Sequence, residues 1–112
     1  MEESVILENI PNKKPLFLKD LVHIEEGSIV SKILVQNDAV SLTLFALAKG
    51  QEISTHQSDG DAFVQVVEGV GTFFVDGVKY SIPAGQCLVM PHHHPHALKA
   101  EQDFKMLLGV IY

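Results

Sequence analysis

Turn signals interrupt this chain so often that no long element fits between them. Apolar, β-branched runs at 28–35 and 40–48 flank the polar stretch Gln36, Asn37, Asp38 and Ala39, a pattern that predicts a hairpin. Further runs at 62–67 and 72–75 flank residues 68–71, and Asp76-Gly77 then separates Val75 from Val78. Asp-Gly is among the strongest two-residue hairpin turns, because both positions accept positive φ. Pro83-Ala84-Gly85 turns the chain again, and residues 86–90, 94–100 and Phe104–Ile111 supply the last strands, the final two joined through Glu101, Gln102 and Asp103. No segment holds a helical period over about a dozen residues, and there is no coiled coil, low-complexity tract or repeat of fixed period. Many short strands with glycine and proline at the corners predict an all-β sandwich or barrel.

Residues 1–15 read as an N-terminal arm, since Pro11 and Pro15, with Asn12, Lys13 and Lys14 between them, interrupt both helix and central strand. Residues 16–112 then form a single domain, whose opening at 16–22 is compatible with a short strand or one turn of helix. With 112 residues, 46% of them hydrophobic, the chain supports one modest core. The net charge of −6 and the lack of any arginine among the 8 basic residues argue against a nucleic-acid partner, because the bidentate donors of base readout are missing. No apolar run approaches the ~20 residues of a spanning helix, and Glu2 and Glu3 carry the wrong charge for a signal peptide, so no membrane role and a cytoplasmic location are expected. Cys87 has no partner for an intrachain disulfide, and its neighbours Leu88, Val89 and Met90 predict a core thiol.

Two stretches share a pattern of glycine, spacer and histidine. The first runs through Gly50, His56, Ser58, Ala62 and Gly69, and the second through Gly85, Pro91, His93, His96 and Ala100. At these spacings the chain resembles the cupin superfamily, whose motifs run G-x5-H-x-H-x3or4-E-x6-G and G-x5-P-x-G-x2-H-x3-N. The resemblance extends from about Ser28 to the C-terminus and is nearest to small single-domain conserved-barrel members. It implies a cupin-type double-stranded β-helix, a jelly-roll barrel. It also implies a divalent transition metal (zinc, iron, nickel or manganese) held inside the barrel, with His56 and His96 at ligand positions.

The departures from the motif bear on that metal. Ser58 stands where a second histidine would be and Ala62 where a glutamate would be, so two imidazoles remain where catalytic zinc usually has three protein ligands. Strand alternation offers one repair: if His96 points into the barrel, His94 points the same way, and three imidazoles suit zinc, iron, nickel or copper. Asp61 offers another. Strict alternation from His56 turns Asp59 and Asp61 outward, but a bulge at Gly60 would re-aim Asp61 and give a mixed nitrogen and oxygen sphere. His92 and His93 fall in the turn that carries a glycine in the resembled family and read as solvated. His23 reads as a surface residue, and Glu25 and Glu26 before Gly27 as a turn.

Three classes of function follow. One is a metal-dependent enzyme on a small organic molecule, an oxygenase or isomerase, with His56 and His96 as ligands and His94 or Asp61 completing the sphere. Another is a metal-free binding or sensing module with Phe63, Phe73 and Met90 as wall residues. The last is a structural barrel with a closed cavity. A metal-free acid–base site would need a phenol such as Tyr80 or Tyr112, neither of which sits at a motif position. No activated nucleophile and no phosphate-cradling glycine loop is present. Apolar residues on both faces of 40–48 and Phe104–Ile111 exceed what a solvent-facing sheet needs, and a homodimer is the expected cover.

Overall fold

The computed structural model describes residues 5–112, and the acidic start at Glu2 and Glu3 lies outside them. Nine strands follow a single 3₁₀ turn at Leu18–Leu21: β1 Ile29–Gln36, β2 Val40–Leu47, β3 Glu52–His56, β4 Asp61–Glu68, β5 Val70–Val75, β6 Val78–Pro83, β7 Cys87–Met90, β8 His96–Lys99 and β9 Phe104–Ile111. They form a five-stranded sheet in the order β1-β2-β9-β4-β7 and a four-stranded sheet in the order β3-β8-β5-β6. Neighbouring strands run antiparallel throughout both sheets. The architecture is the expected all-β jelly-roll barrel.

Local chemistry explains the corners. β5 and β6 close with Val75 opposite Val78, and Asp76 and Gly77 both take positive φ, 53° and 79°, the primed turn that matches strand twist. At the β1–β2 corner the Asn37 side chain accepts hydrogen bonds from the backbone N–H groups of Ala39 and Val40, which fixes the hairpin register.

Alternation along the central strands sorts side chains into two cores. Leu47 of β2, Val64 and Val66 of β4, and Phe104 and Met106 of β9 face inward onto Phe73, Ile82 and Leu98 from the other sheet. The Phe73 and Phe104 rings meet edge to face with centroids 6.0 Å apart, both fully buried. Leu44 and Ala46 of β2 and Leu34 of β1 face the other way and are covered by Ile10, Leu18, Leu21, Val22 and Ile24. The apolar outer face of β2 and β9, read from sequence as a surface for a second copy, is thus met over much of its extent by the chain's own N-terminal segment.

That segment is tied down by polar bonds as well. Glu8 donates its backbone N–H to the Leu34 carbonyl, and the Asn9 side-chain amide donates to the Ile33 carbonyl. Lys105, on the outward face of β9, reaches the Lys19 carbonyl at 2.8 Å and the Glu68 carboxylate at 3.2 Å while only 8% exposed. No helix among the described residues is long and apolar enough to cross a membrane.

Cys87 departs from its expected place. It is exposed, because β7 alternates and turns Cys87 and Val89 to solvent while Met90 packs inward. Phe63 likewise lies on the outer face of its sheet, 40% exposed, and not on the cavity wall.

Candidate functional site

A cavity of about 410 Å³ opens at one end of the barrel. Phe45, Ile53, Ala62, Met90, Leu98, Leu108 and Val110 make its apolar walls, and Gln57, Ser58, Asp59 and Tyr112 complete the lining with two imidazoles, His56 and His96. Backbone irregularity brings those imidazoles together. β3 pairs with β8 through Ile53 opposite Leu98, then slips by a bulge so that His56 falls opposite His96. Without the extra residue, alternation from Ile53 would aim Thr55 inward in place of His56. The bulge re-aims the ring.

The ring nitrogens are then determined by their partners. His56 Nδ1 lies 3.0 Å from the Ser54 carbonyl and His96 Nδ1 lies 3.1 Å from the His94 carbonyl. Carbonyl oxygens only accept, so both Nδ1 atoms carry hydrogen and donate. In the neutral rings both Nε2 atoms are bare, and they face each other at 3.1 Å with centroids 4.3 Å apart. Two lone pairs at that distance repel unless a proton or a cation sits with them. Burial holds the pKa of His96 below its ordinary 6.5, aided by the charge on His56 and opposed by the hydrogen bond to the His94 carbonyl. His96 is therefore held toward its neutral form, with a bare Nε2 that attracts a proton or a cation.

The same geometry tests a metal. Nitrogens bound to one ion at about 2.0–2.1 Å stand about 2.8–3.4 Å apart between square and tetrahedral angles, a window that includes the observed 3.1 Å. An imidazole that donates its other N–H to a backbone carbonyl also has the usual outer-shell support of a metal-ligating histidine. The pair fits two positions of a coordination sphere. Among the described residues no group of three or more His, Cys, Asp or Glu side chains is placed to hold an ion.

The expected repairs go elsewhere. β8 begins only at His96, so His94 belongs to the preceding loop and escapes strand alternation; its Nδ1 lies 2.7 Å from Asp76 Oδ2 at the β5–β6 turn. Asp61 starts β4 facing outward, as strict alternation requires, and receives both the His92 backbone N–H at 2.9 Å and the His92 ring at 2.8 Å. Those bonds to His92 hold the Asp61 carboxyl below its usual pKa. Gly60 forms no bulge: it lies in the bend just ahead of β4 with its N–H donated to the Ser58 hydroxyl, and it passes so close to the Ile111 carbonyl that a Cβ would stand 2.4 Å from the oxygen.

The consecutive histidines thus serve as rim ties. His93 donates its backbone N–H to the Ser58 carbonyl and its ring lies 3.6 Å from Asp59, while Asp76 donates its N–H to the Pro95 carbonyl. His93 takes φ of 63°, the left-handed conformation that a glycine at this turn would supply. The loop 57–60, the loop 91–95 and the Asp76 turn are laced into one mouth. His23 is exposed and does not line the cavity.

Phe45, Ile53, Leu108 and Val110 were not foreseen as lining residues; alternation along β2 and β9, counted inward from Leu47 and Phe104, is the signal that finds Phe45, Leu108 and Val110. Of the expected wall residues Met90 lines the cavity, and Phe73 is buried in the core behind it. Of the two phenols Tyr112 reaches the lining, and Tyr80 is on exposed β6.

Residues 43–112 match the family described as Cupin domain. The chain is similar over 98% of its length, and 96% of the other chain, to a conserved protein of unknown function from Streptococcus pyogenes, at 40% identity and a TM-score of 0.94. It is also similar to a cupin superfamily protein from Desulfitobacterium hafniense, at 30% identity and a TM-score of 0.89 over 94% of this chain and 96% of that one. A salicylate 1,2-dioxygenase from Pseudoaminobacter salicylatoxidans shares the fold at 20% identity and a TM-score of 0.69, covering 83% of this chain and 27% of that one. No curated protein matches.

Proposed function

Because the chain belongs to the cupin family, we propose that its barrel is a pocket for a small organic molecule in which His56 and His96 hold a divalent transition-metal ion. The observation that carries this reading is the pair of bare Nε2 atoms facing at 3.1 Å, each ring fixed through Nδ1 to a backbone carbonyl. An all-imidazole donor pair favours zinc, nickel, copper or iron over magnesium or calcium. Two protein ligands would leave positions for water or a guest, and an ion held there would supply Lewis-acid chemistry toward an oxygen of the bound molecule. His96, buried to 4% exposure, fixes the inner end of the pair, and His56 stands on the solvent side. The apolar walls exclude water from the guest's body, and the laced rim keeps the mouth in shape.

Metal analysis of untagged protein after dialysis tests this, beside His56→Gln and His96→Ala. The wild type is expected to retain about one ion per chain and both variants to lose it. A wild type that takes up no zinc or nickel in a calorimetric titration, or variants that keep the ion through the rim histidines, would overturn the reading.

A further inference from the structure

The two neutral imidazoles have a simpler arrangement open to them than facing lone pairs. At 3.1 Å, a His96 ring with its hydrogen on Nε2 would donate it to His56 Nε2, and both nitrogens would be consumed inside the pair. The His94 carbonyl, 3.1 Å from His96 Nδ1, opposes this by holding the hydrogen on the other side of the ring. The state of the pocket therefore depends on how firmly that one carbonyl is held.

Strand register explains what holds it. β5 pairs with β8 so that Val75 lies opposite His96, and one step along the antiparallel ladder Asp76 meets Pro95. Asp76 donates its backbone N–H to the Pro95 carbonyl at 2.9 Å, but proline has no N–H to return. The Asp76 carboxylate makes the second bond instead, accepting from the His94 ring Nδ1 at 2.7 Å, a short charge-assisted contact. The peptide joining His94 to Pro95, whose carbonyl His96 needs, is thus gripped on both sides by one residue. His92, tied to Asp61, and His93, tied to Ser58, anchor the loop farther back, and the His94 N–H reaches the Pro91 carbonyl only at 3.3 Å. Turn chemistry does not call for a carboxylate at Asp76, since the primed turn asks only for positive φ, which asparagine or glycine supplies as readily.

We infer that Asp76 is a positioning residue for the pocket: by clamping the His94–Pro95 peptide it keeps the hydrogen of His96 on Nδ1, and so keeps the two Nε2 atoms open to the cavity instead of to each other. With the clamp loosened, the His94 carbonyl turns away and the hydrogen passes through water from Nδ1 to Nε2. His96 then donates to His56, and the pair closes on itself. What the open pair is used for rests on the reading above, but the ring state is a property of the metal-free protein.

Long-range proton–nitrogen correlation spectra of the untagged, metal-free full chain at mildly alkaline pH show which nitrogen of each ring carries hydrogen, with His96→Gln identifying the His96 signals. The wild type is expected to carry it on Nδ1. Asp76→Gly removes the carboxylate and leaves the turn its positive φ; it is expected to move most of His96 to the Nε2–H form. Asp76→Asn offers the His94 ring an amide oxygen in the same place and is expected to keep the wild-type pattern. His94→Ala deletes the other partner of the bond; it is expected to match Asp76→Gly, and it decides the matter if that variant does not fold. A folded Asp76→Gly or His94→Ala protein with the wild-type pattern overturns the inference, as does an Asp76→Asn protein that shifts as far as Asp76→Gly, or a wild type already in the Nε2–H form. In zinc titrations Asp76→Gly is expected to bind about tenfold more weakly than wild type, the low end of what outer-shell partners contribute, and equal affinity would overturn control of the site by the ring state. A wild type that binds no zinc strikes the metal reading alone, because the ring spectra are taken without an ion and decide the role of Asp76 by themselves.

Discussion

Alanine substituted at Gly71 and at Gly109 should move stability in opposite directions, although both glycines are buried in strands of the same barrel. A Cβ on Gly71 would stand 2.6 Å from Phe73 Cε2 and 2.7 Å from Phe104 Cε2, and both rings are fully buried and wedged edge to face. Forcing one methyl into a filled core costs about 1–3 kcal/mol. With two buried rings under 3 Å the cost falls in the upper half of that range, about 2–3 kcal/mol, and restricting the unfolded chain returns about 0.4–1 kcal/mol, so Gly71→Ala is expected to lose about 1–2.6 kcal/mol. A Cβ on Gly109 meets Leu42 Cδ1 at 3.5 Å and the Phe63 and Ser41 carbonyl oxygens at 3.9 Å, all ordinary contacts. With no clash, the unfolded-state effect remains and Gly109→Ala gains about 0.4–1 kcal/mol. Trimming one of the two blocking rings should relieve it in part: Gly71→Ala with Phe104→Leu is expected to cost less than the sum of the single changes, with a coupling of about 0.5–3 kcal/mol. Urea unfolding monitored by circular dichroism measures all of these, provided the m-values stay constant. A Gly71→Ala protein as stable as wild type, or strictly additive costs in the double mutant, would refute the packing argument.

Two further outcomes follow from the polar network. Because burial lowers the folded-state pKa of His96 below 6.5, the unfolded state binds the proton more readily; the metal-free protein therefore keeps its full stability above 6.5 and loses some as pH falls from there through the folded value. Urea midpoints compared between pH 7.5 and pH 5 should show this decline, and His96→Gln should flatten it; an equal slope in both proteins counts against His96 as its source. Lys105→Ala removes the donor to the Lys19 carbonyl and a buried stem, for an expected loss of about 2–3 kcal/mol and faster proteolytic nicking near the 3₁₀ turn, whereas Glu68→Gln, at a half-exposed partner, should cost under about 1 kcal/mol. Equal losses for the two changes would mean that the ion pair, and not the carbonyl tie, is what matters.

The strands and corners were legible in the sequence because their signals are local. The Asp76-Gly77 turn, the polar break at Asn37 and the alternating apolar runs each act within a few residues. The meeting of His56 with His96 was legible from motif spacing, but its cause was not, since nothing in the run Glu52–His56 announces the bulge that turns His56 inward. His94 was misplaced for a related reason: alternation holds only inside a strand, and Pro95 keeps β8 from starting before His96. Cys87 was misplaced because a short run such as Cys87–Met90 reads the same whether one face or both are buried. The cover on the outer face of β2 depends on residues brought from far along the chain, such as Ile10 and Leu21, and pairing at that separation leaves no local mark.

The covering segment also determines where the molecule can be cut. The family match begins at residue 43, yet Leu44 and Ala46 just beyond that point have 0% exposure because residues ahead of β1 lie over them. A protein trimmed to the recognisable region would lose β1 as well, leave β2 as a bare edge and open a greasy seam along it. The smallest unit expected to stand alone is therefore larger than the unit that sequence comparison outlines, and grafts, fusions or fragments of this barrel should carry the leading segment with them.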